Sequence, residues 1–145
     1  MIDWRNFIGR SVRAWMEANL RLALNLYPPY WGTGIWVTHI ARDFREIHVE
    51  MVERPWNRNY VGIHFGGSLY SMCDPYYMLM LIKNLGPRYV VLDEAATIRF
   101  KLPGRGRVRA VFRLSEERIA EVRAAADRDT PSIIHPCPGF GKRFG

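Results

Sequence analysis

One segment, Asn59-Tyr60-Val61-Gly62-Ile63-His64-Phe65-Gly66-Gly67-Ser68-Leu69-Tyr70-Ser71-Met72-Cys73-Asp74, concentrates the residue types that could do chemistry. Paired glycines at a helix start let a ligand approach backbone amides closely, and the positive end of the helix favours an oxygen acquiring negative charge. Gly66 and Gly67 are therefore candidate oxyanion-hole donors. Asp74 follows Gly67 by seven residues, so on a helix it returns to a similar side but about 10 Å further along the axis. The two functions share a face yet are too far apart to meet at one carbonyl, and a symmetric neighbour could supply the second group. Asp74 also has a purely structural use, because Asp followed by Pro75 is a good helix start.

This stretch resembles the hotdog-fold thioesterase superfamily, whose small acyl-CoA thioesterases carry an Asn, a Gly, a His-Gly-Gly turn and an Asp seven residues after the last Gly. On this chain the matching positions are Asn59 or Asn57, Gly62, Gly66-Gly67 and Asp74. The Phe65-Gly66-Gly67 start and the Asp74-Pro75 pair are more similar still to an uncharacterised branch of small acyl-CoA thioesterases. The resemblance covers roughly Met16 to Ala126. It implies an α+β hotdog fold, an antiparallel sheet wrapped around a long central hydrophobic helix, and a homodimer or higher homo-oligomer acting on an acyl-CoA-like substrate. It also implies a thioester carbonyl held by the amides near Gly66 and Gly67, with Asp74 of the other protomer activating water or attacking directly. Asn59 would hold water or substrate, with Asn57 the competing assignment, and no metal or cofactor is required. The sequence departs from the pattern at His64, which precedes Phe65 and not the glycine pair, so the superfamily's His role does not transfer directly.

Other side chains extend the candidate site. His64 and Phe65 flank the glycines as substrate-binding candidates, and Tyr70 and Tyr77 could line an acyl tunnel, although such residues often simply fill a core. Arg107 and Arg109 belong to a basic stripe with Arg99, Lys101 and Arg113 that could bind CoA phosphates or neutralise nearby acids. His135 with Cys137 is too sparse for a zinc site.

The elements that must position these groups are legible in the hydropathy pattern. Apolar residues at helical intervals predict a helix over about 7–27, ended by Pro28-Pro29, with a turn at Trp31–Gly34. Strands are expected over Ile35–Ala41 and Arg45–Val52, where Ile47, Val49 and Met51 alternate with Glu46, His48 and Glu50. From Gly66 to Leu85 the only charged residues are Asp74 and Lys83, which reads as a buried helix that Pro75 kinks or divides near Asp74. A short strand at Arg88–Leu92 is expected next. A hairpin then places Ile98, Phe100 and Leu102 opposite Val108, Ala110, Phe112 and Leu114, around Pro103-Gly104-Arg105-Gly106. Ser115 is positioned to cap a helix from Glu116 to about Ala126. The tail at 131–145 is rich in Pro and Gly and atypical of the superfamily.

Composition narrows the class further. At 145 residues with 48% hydrophobic and 13% aromatic side chains, the chain fits one compact domain and excludes disorder as its main state. A net charge of +7 favours anionic partners, but the compact basic patch without interleaved exposed aromatics argues against nucleic acid. The most apolar stretch carries His64, Asp74 and Pro75, which argues against a membrane span. Two cysteines in unrelated settings build no disulfide framework, and the opening residues lack the pattern of a secretory leader, so a reducing, cytoplasmic setting is expected. Acyl thioesterase is the leading reading, and a non-catalytic acyl or acyl-CoA binding protein is the alternative.

Overall fold

The structure, a computed structural model, describes residues 10–93 and 95–128. The expected N-terminal helix is two helices, α1 (Arg10–Ala18) and α2 (Leu20–Asn25), divided at Asn19. Asn19 leaves helical geometry at ψ 41° while its backbone N–H and its Nδ2 both donate to the Trp15 carbonyl, at 2.9 and 3.0 Å. Residues 7–9 of that expectation lie outside the described residues. The turn expected at Trp31–Gly34 is instead the end of a third short helix, α3 (Pro28–Thr33). Pro28 serves as its first residue, where a missing N–H costs nothing, and Gly34 closes it in the left-handed region at φ 74°.

Three strands form one antiparallel sheet in the order β1 (Ile35–Ile40), β2 (Glu46–Val52), β3 (Arg107–Arg113). Alternation in β2 and β3 sets the register: Ile47 lies opposite Phe112, Val49 opposite Ala110 and Met51 opposite Val108, all buried. On the other face, Glu46 stands opposite Arg113 and Glu50 opposite Arg109. Strand β1 breaks its alternation after Val37, and a bulge there lets both Thr38 and His39 face outward before Ile40 returns to the Ile47 row.

The long central helix expected over Gly66–Leu85 is divided, as the proline required. Helices α4 (Gly66–Ser71) and α5 (Tyr76–Leu85) are separated by a turn that contains Asp74 and Pro75. Together they cover the apolar sheet face. Leu69, Met72, Tyr76 and Met80 belong to the core, and Phe112 receives both Tyr76, centroids 4.8 Å apart, and Tyr77 edge-on at 5.4 Å. Met72, Tyr76 and Met80 thus fill the interior.

Two strands expected from the sequence are absent. Residues 88–92 and 98–102 have no regular secondary structure, and Phe100 and Leu102 are exposed. The hairpin fails because its connection is engaged elsewhere. The Gly104 carbonyl accepts from His64 N–H, and the Gly106 carbonyl accepts from Glu53 N–H, at 3.0 and 2.7 Å. Strand β3 therefore pairs only with β2 among the described residues. Ser115 Oγ accepts from Arg118 N–H at 3.2 Å and opens α6 (Glu116–Arg128), whose Ile119 and Val122 are buried. The tail at 131–145 lies outside the described residues.

Candidate functional site

The glycine turn is held from behind by the 104–106 loop. His64 is 1% exposed. Its backbone N–H donates to Gly104 O, and its Nε2 lies 3.0 Å from Gly106 O, which assigns the donor hydrogen to Nε2. The Gly106 N–H donates to Glu53 Oε2 at 2.5 Å, and Glu53 also pairs with Arg58 Nε at 2.7 Å. The Gly106 amide, helped by the Arg58 guanidinium and opposed by partial desolvation, holds the Glu53 carboxyl below its ordinary 4.5. The other ring nitrogen of His64, Nδ1, is buried without a partner among the described residues. His64 therefore anchors the turn as a second clasp on the loop, two residues before Gly66.

At the turn, neither the Gly66 nor the Gly67 N–H donates to a described acceptor. Aromatic rings overlie both residues. A methyl on Gly66 would meet the Phe100 ring at 3.3 Å, and one on Gly67 would lie 2.5 Å from the Phe65 ring. A side chain at either position would have to displace those rings, the Phe65 ring by the larger step. Phe65 itself is largely exposed.

The two asparagines separate clearly. Asn57 is buried and binds only backbone: its Nδ2 donates to Thr33 O and Val52 O, both at 2.9 Å, and its Oδ1 accepts from Arg54 N–H at 2.7 Å. Both N–H bonds of its amide are committed, so it ties α3 to the end of β2. Asn59 accepts from Val61 and Ile63 N–H at 3.1 and 3.2 Å and organises the loop before the glycine turn, while its Nδ2 has no partner among the described residues.

Asp74 is exposed at the division between α4 and α5. No side-chain cap bond opens α5, whose N-cap position belongs to Pro75, so Asp74 does not cap that helix. It forms no ion pair among the described residues. Its charge reaches two phenols, Tyr70 and Tyr30, and a second acid, Asp93. Partial desolvation first, then the charge of Asp74, raise Tyr70 above the usual phenol range, with Asp93 contributing. Burial raises Tyr30, against a contact with Tyr76 and with help from Asp74. Burial also drives Tyr76 far upward. Asp93 is raised by partial desolvation and by Asp74. Asp93 and the Tyr30 hydroxyl escaped the sequence reading, since chain distance hides their approach to Asp74; an acid ending the apolar run Val90-Val91-Leu92 was the only signal.

Arg107 and Arg109 lie on the outer face of β3 and pair with Glu50, and Arg113 pairs with Glu46 at 2.8 Å. The Arg113 and His48 contacts hold Glu46 low. Arg107, Arg109 and Arg113 of the basic stripe are thus answered by acids on β2, and Tyr77 packs edge-on against Phe112. Two surface clefts, one lined by Glu17–Leu22 with Ile40, Arg42 and Phe44 and the other by His39, Arg45 and Glu116, include no residue between 57 and 77. Among the described residues no group of three or more His, Cys, Asp or Glu could hold a metal ion. No helix among them is long and apolar enough to cross a membrane.

Two solved structures share this architecture. One is the 1.5 Å crystal structure of PA5026, a protein of unknown function from Pseudomonas aeruginosa described as a probable thioesterase. It matches 77% of this chain and 74% of its own at 18% identity, with a TM-score of 0.60. The other is OLEI01261 of Chlorobaculum tepidum TLS, also of unknown function, matching 78% of this chain and 71% of its own at 19% identity and a TM-score of 0.57. At such identities the likeness concerns the fold. No curated protein matches the chain in sequence. The profile of the family described as a domain of unknown function, DUF4442, matches residues 17–132, and the chain belongs to that family.

Proposed function

We propose that this protein is a hotdog-fold thioesterase that hydrolyses an acyl-CoA or related acyl thioester as a homodimer or larger homo-oligomer. The observation that carries the reading is the state of Asp74: an acid in a charge-poor helical region that caps no helix, joins no ion pair among the described residues and reaches the surface beside Tyr70. The Gly66 and Gly67 amides, which donate to no described acceptor, supply the complementary half. The likeness in fold to a probable thioesterase agrees with it. In the reaction the thioester carbonyl accepts from those amides, whose donation strengthens as the oxygen gains charge. Asp74 of the partner subunit takes a proton from water as the water oxygen bonds to the carbonyl carbon, and when the oxyanion collapses the C–S bond breaks and the departing sulfur keeps the bonding electrons and receives that proton as the thiol. Asn59 orders the loop beside them. Arg107 and Arg109 exchange part of their pairing with Glu50 for the anionic end of the substrate.

Asp74→Asn keeps the size of the side chain and removes the base. Single-turnover hydrolysis is expected to fall on the order of 10²-fold, with ligand affinity and folding little changed. Unchanged hydrolysis would show that Asp74 is not the base. The rings of Phe65 and Phe100 over the glycines favour a second reading, an acyl-binding protein without hydrolysis. Binding of acyl-CoA with no free thiol released over many hours would establish that alternative.

A further inference from the structure

The loop that leads into the glycine turn sorts its side chains into two sets. Asn57 and Asn59 bond to backbone and are withdrawn from solvent, whereas Arg54, Trp56, Arg58 and Tyr60 are exposed. Trp56 is 68% exposed, and Tyr60, at the head of the turn closed by Gly62 N–H on Asn59 O at 3.0 Å, is fully so. The course of the loop is fixed. Asn57 N–H donates to Arg54 O and Phe65 N–H donates to Asn57 O, both at 3.1 Å, and Arg58 bridges to His64. These bonds run the loop alongside the residues that open α4. Arg105, from the 104–106 loop, joins it by donating from Nη1 to Gly62 O at 3.4 Å.

Charge along this row is one-sided. The only acid within 53–62 is Glu53, whose carboxylate is taken by the Gly106 N–H and by Arg58 Nε at 2.5 and 2.7 Å. Arg54 and Arg105 join no ion pair among the described residues, whereas Arg107, Arg109 and Arg113 each face a β2 carboxylate. A guanidinium without a carboxylate is ready to pair with phosphate through parallel N–H bonds. An exposed indole or phenol face stacks with a flat heterocycle. Trp56 and Tyr60 differ from the other exposed apolar side chains near the turn in being set among arginines, and that combination matches a nucleotide, base and phosphates together.

We propose that Arg54, Trp56, Arg58 and Tyr60, with Arg105, form a nucleotide subsite and that the thioester substrate is accordingly a CoA ester. This inference rests on the thioesterase reading above and names its substrate class. Adenine stacks on the Trp56 ring, with Tyr60 as the second ring of the loop. The phosphates take N–H groups of Arg54 and Arg105, and the pantetheine arm runs from there to the Gly66 and Gly67 amides. Arg107 and Arg109 join after leaving Glu50. A thioester carried on protein-bound phosphopantetheine has no base to stack and leaves this row unused.

The test uses the full chain and one acyl group presented as its CoA ester and as its pantetheine ester, which lacks the base and every phosphate. Trp56→Ala is expected to lower the ratio of kcat/KM for the CoA ester to that for the pantetheine ester about tenfold. Arg54→Ala combined with Arg105→Ala is expected to lower it about tenfold as well, an effect that fades as salt is added. The replaced side chains are exposed, so the fold is retained, and Arg58 is left in place because its pairing with Glu53 supports the turn. A ratio unmoved by either variant overturns the subsite. Equal kcat/KM for the two esters in the wild type overturns it too and leaves the thioesterase reading standing. Apart from turnover, calorimetric titration with adenosine 3′,5′-bisphosphate is expected to show binding that both variants weaken. No binding to the wild type overturns the proposal, as does tighter binding of an adenine oligoribonucleotide, which would assign the loop to RNA. A wild type that hydrolyses neither ester yet binds the bisphosphate through these residues overturns the thioesterase reading and keeps the nucleotide site.

Discussion

Asn57 and Asn59 are two residues apart and chemically identical, yet they do opposite work. Asn57 is buried and satisfies two carbonyls and one N–H of the backbone, and Gly34 leaves room for it, since a methyl there would approach its Nδ2 to 2.9 Å. Asn25 repeats the device at the sheet edge, its amide donating to Val37 O and accepting from Val37 N–H at 3.0 and 2.7 Å. Removing a buried amide strands its partners, and each stranded group costs more than the bond contributes. Asn57→Ala is therefore expected to lower unfolding free energy by about 2–3 kcal/mol. Asn59→Ala, in a partly exposed loop, is expected to lower it by less than about 1 kcal/mol. Urea denaturation of both variants checks the ranking, and equal losses would contradict the division of roles.

Between elements, the glycine turn depends on a carboxylate far from it in sequence. Glu53 holds Gly106, and Gly106 and Gly104 hold His64, so the placement of Gly66 and Gly67 is set from the 104–106 loop. Because the folded protein keeps the Glu53 carboxyl below 4.5, the unfolded chain binds that proton first as pH falls. The contribution is complete above about 4.5 and is lost as pH drops through the lower folded value. Glu53→Gln is expected to reduce stability at pH 7, with the difference from wild type shrinking in acid below pH 4.5. Thermal melts across that range measure it, and a pH-independent difference would contradict the clamp. Pro75 acts at the same scale. By dividing the helix it leaves Asp74 in a turn, where neither a helix ladder nor a cap claims its carboxylate.

For the molecule as a whole, the described protomer leaves a large apolar area uncovered. Trp31, Trp56, Tyr60, Val61, Phe65 and Phe100 are all more than half exposed, and several flank the glycine turn. Exposed apolar patches of this kind mark association surfaces, and the outer edge of β3 has no described partner strand. A second copy also answers the separation between the glycine turn and Asp74 along one chain. The protein is expected to have the mass of a dimer or a larger even assembly by analytical ultracentrifugation at micromolar concentration. Full hydrolytic activity in a strictly monomeric sample would contradict the shared site.

Local patterns in the sequence determined what local physics determines. Alternation in Glu46–Val52 and Arg107–Arg113 specified two half-buried strands and which side chains face in, because a strand's side chains change face at every residue. Pro75 specified a divided helix through its missing N–H, and Ser115 specified the start of α6. The glycine pair and Asp74 were visible because their spacing is a property of one segment. Partner choice was not visible. Ile98–Leu102 alternates as well as any strand, yet its intended hairpin connection binds Glu53 and His64, contacts more than 40 positions away at the widest. The basic stripe read equally well as a phosphate site or as neutralised charge, until the β2–β3 register set Glu46 and Glu50 against it. Whether Asp74 capped a helix, and that its charge reaches Tyr30 as well as Tyr70, depended on how α3, α4 and α5 pack. Hydropathy periods record which face of an element is buried, whereas the convergence of polar groups from distant segments is decided only when the tertiary structure closes.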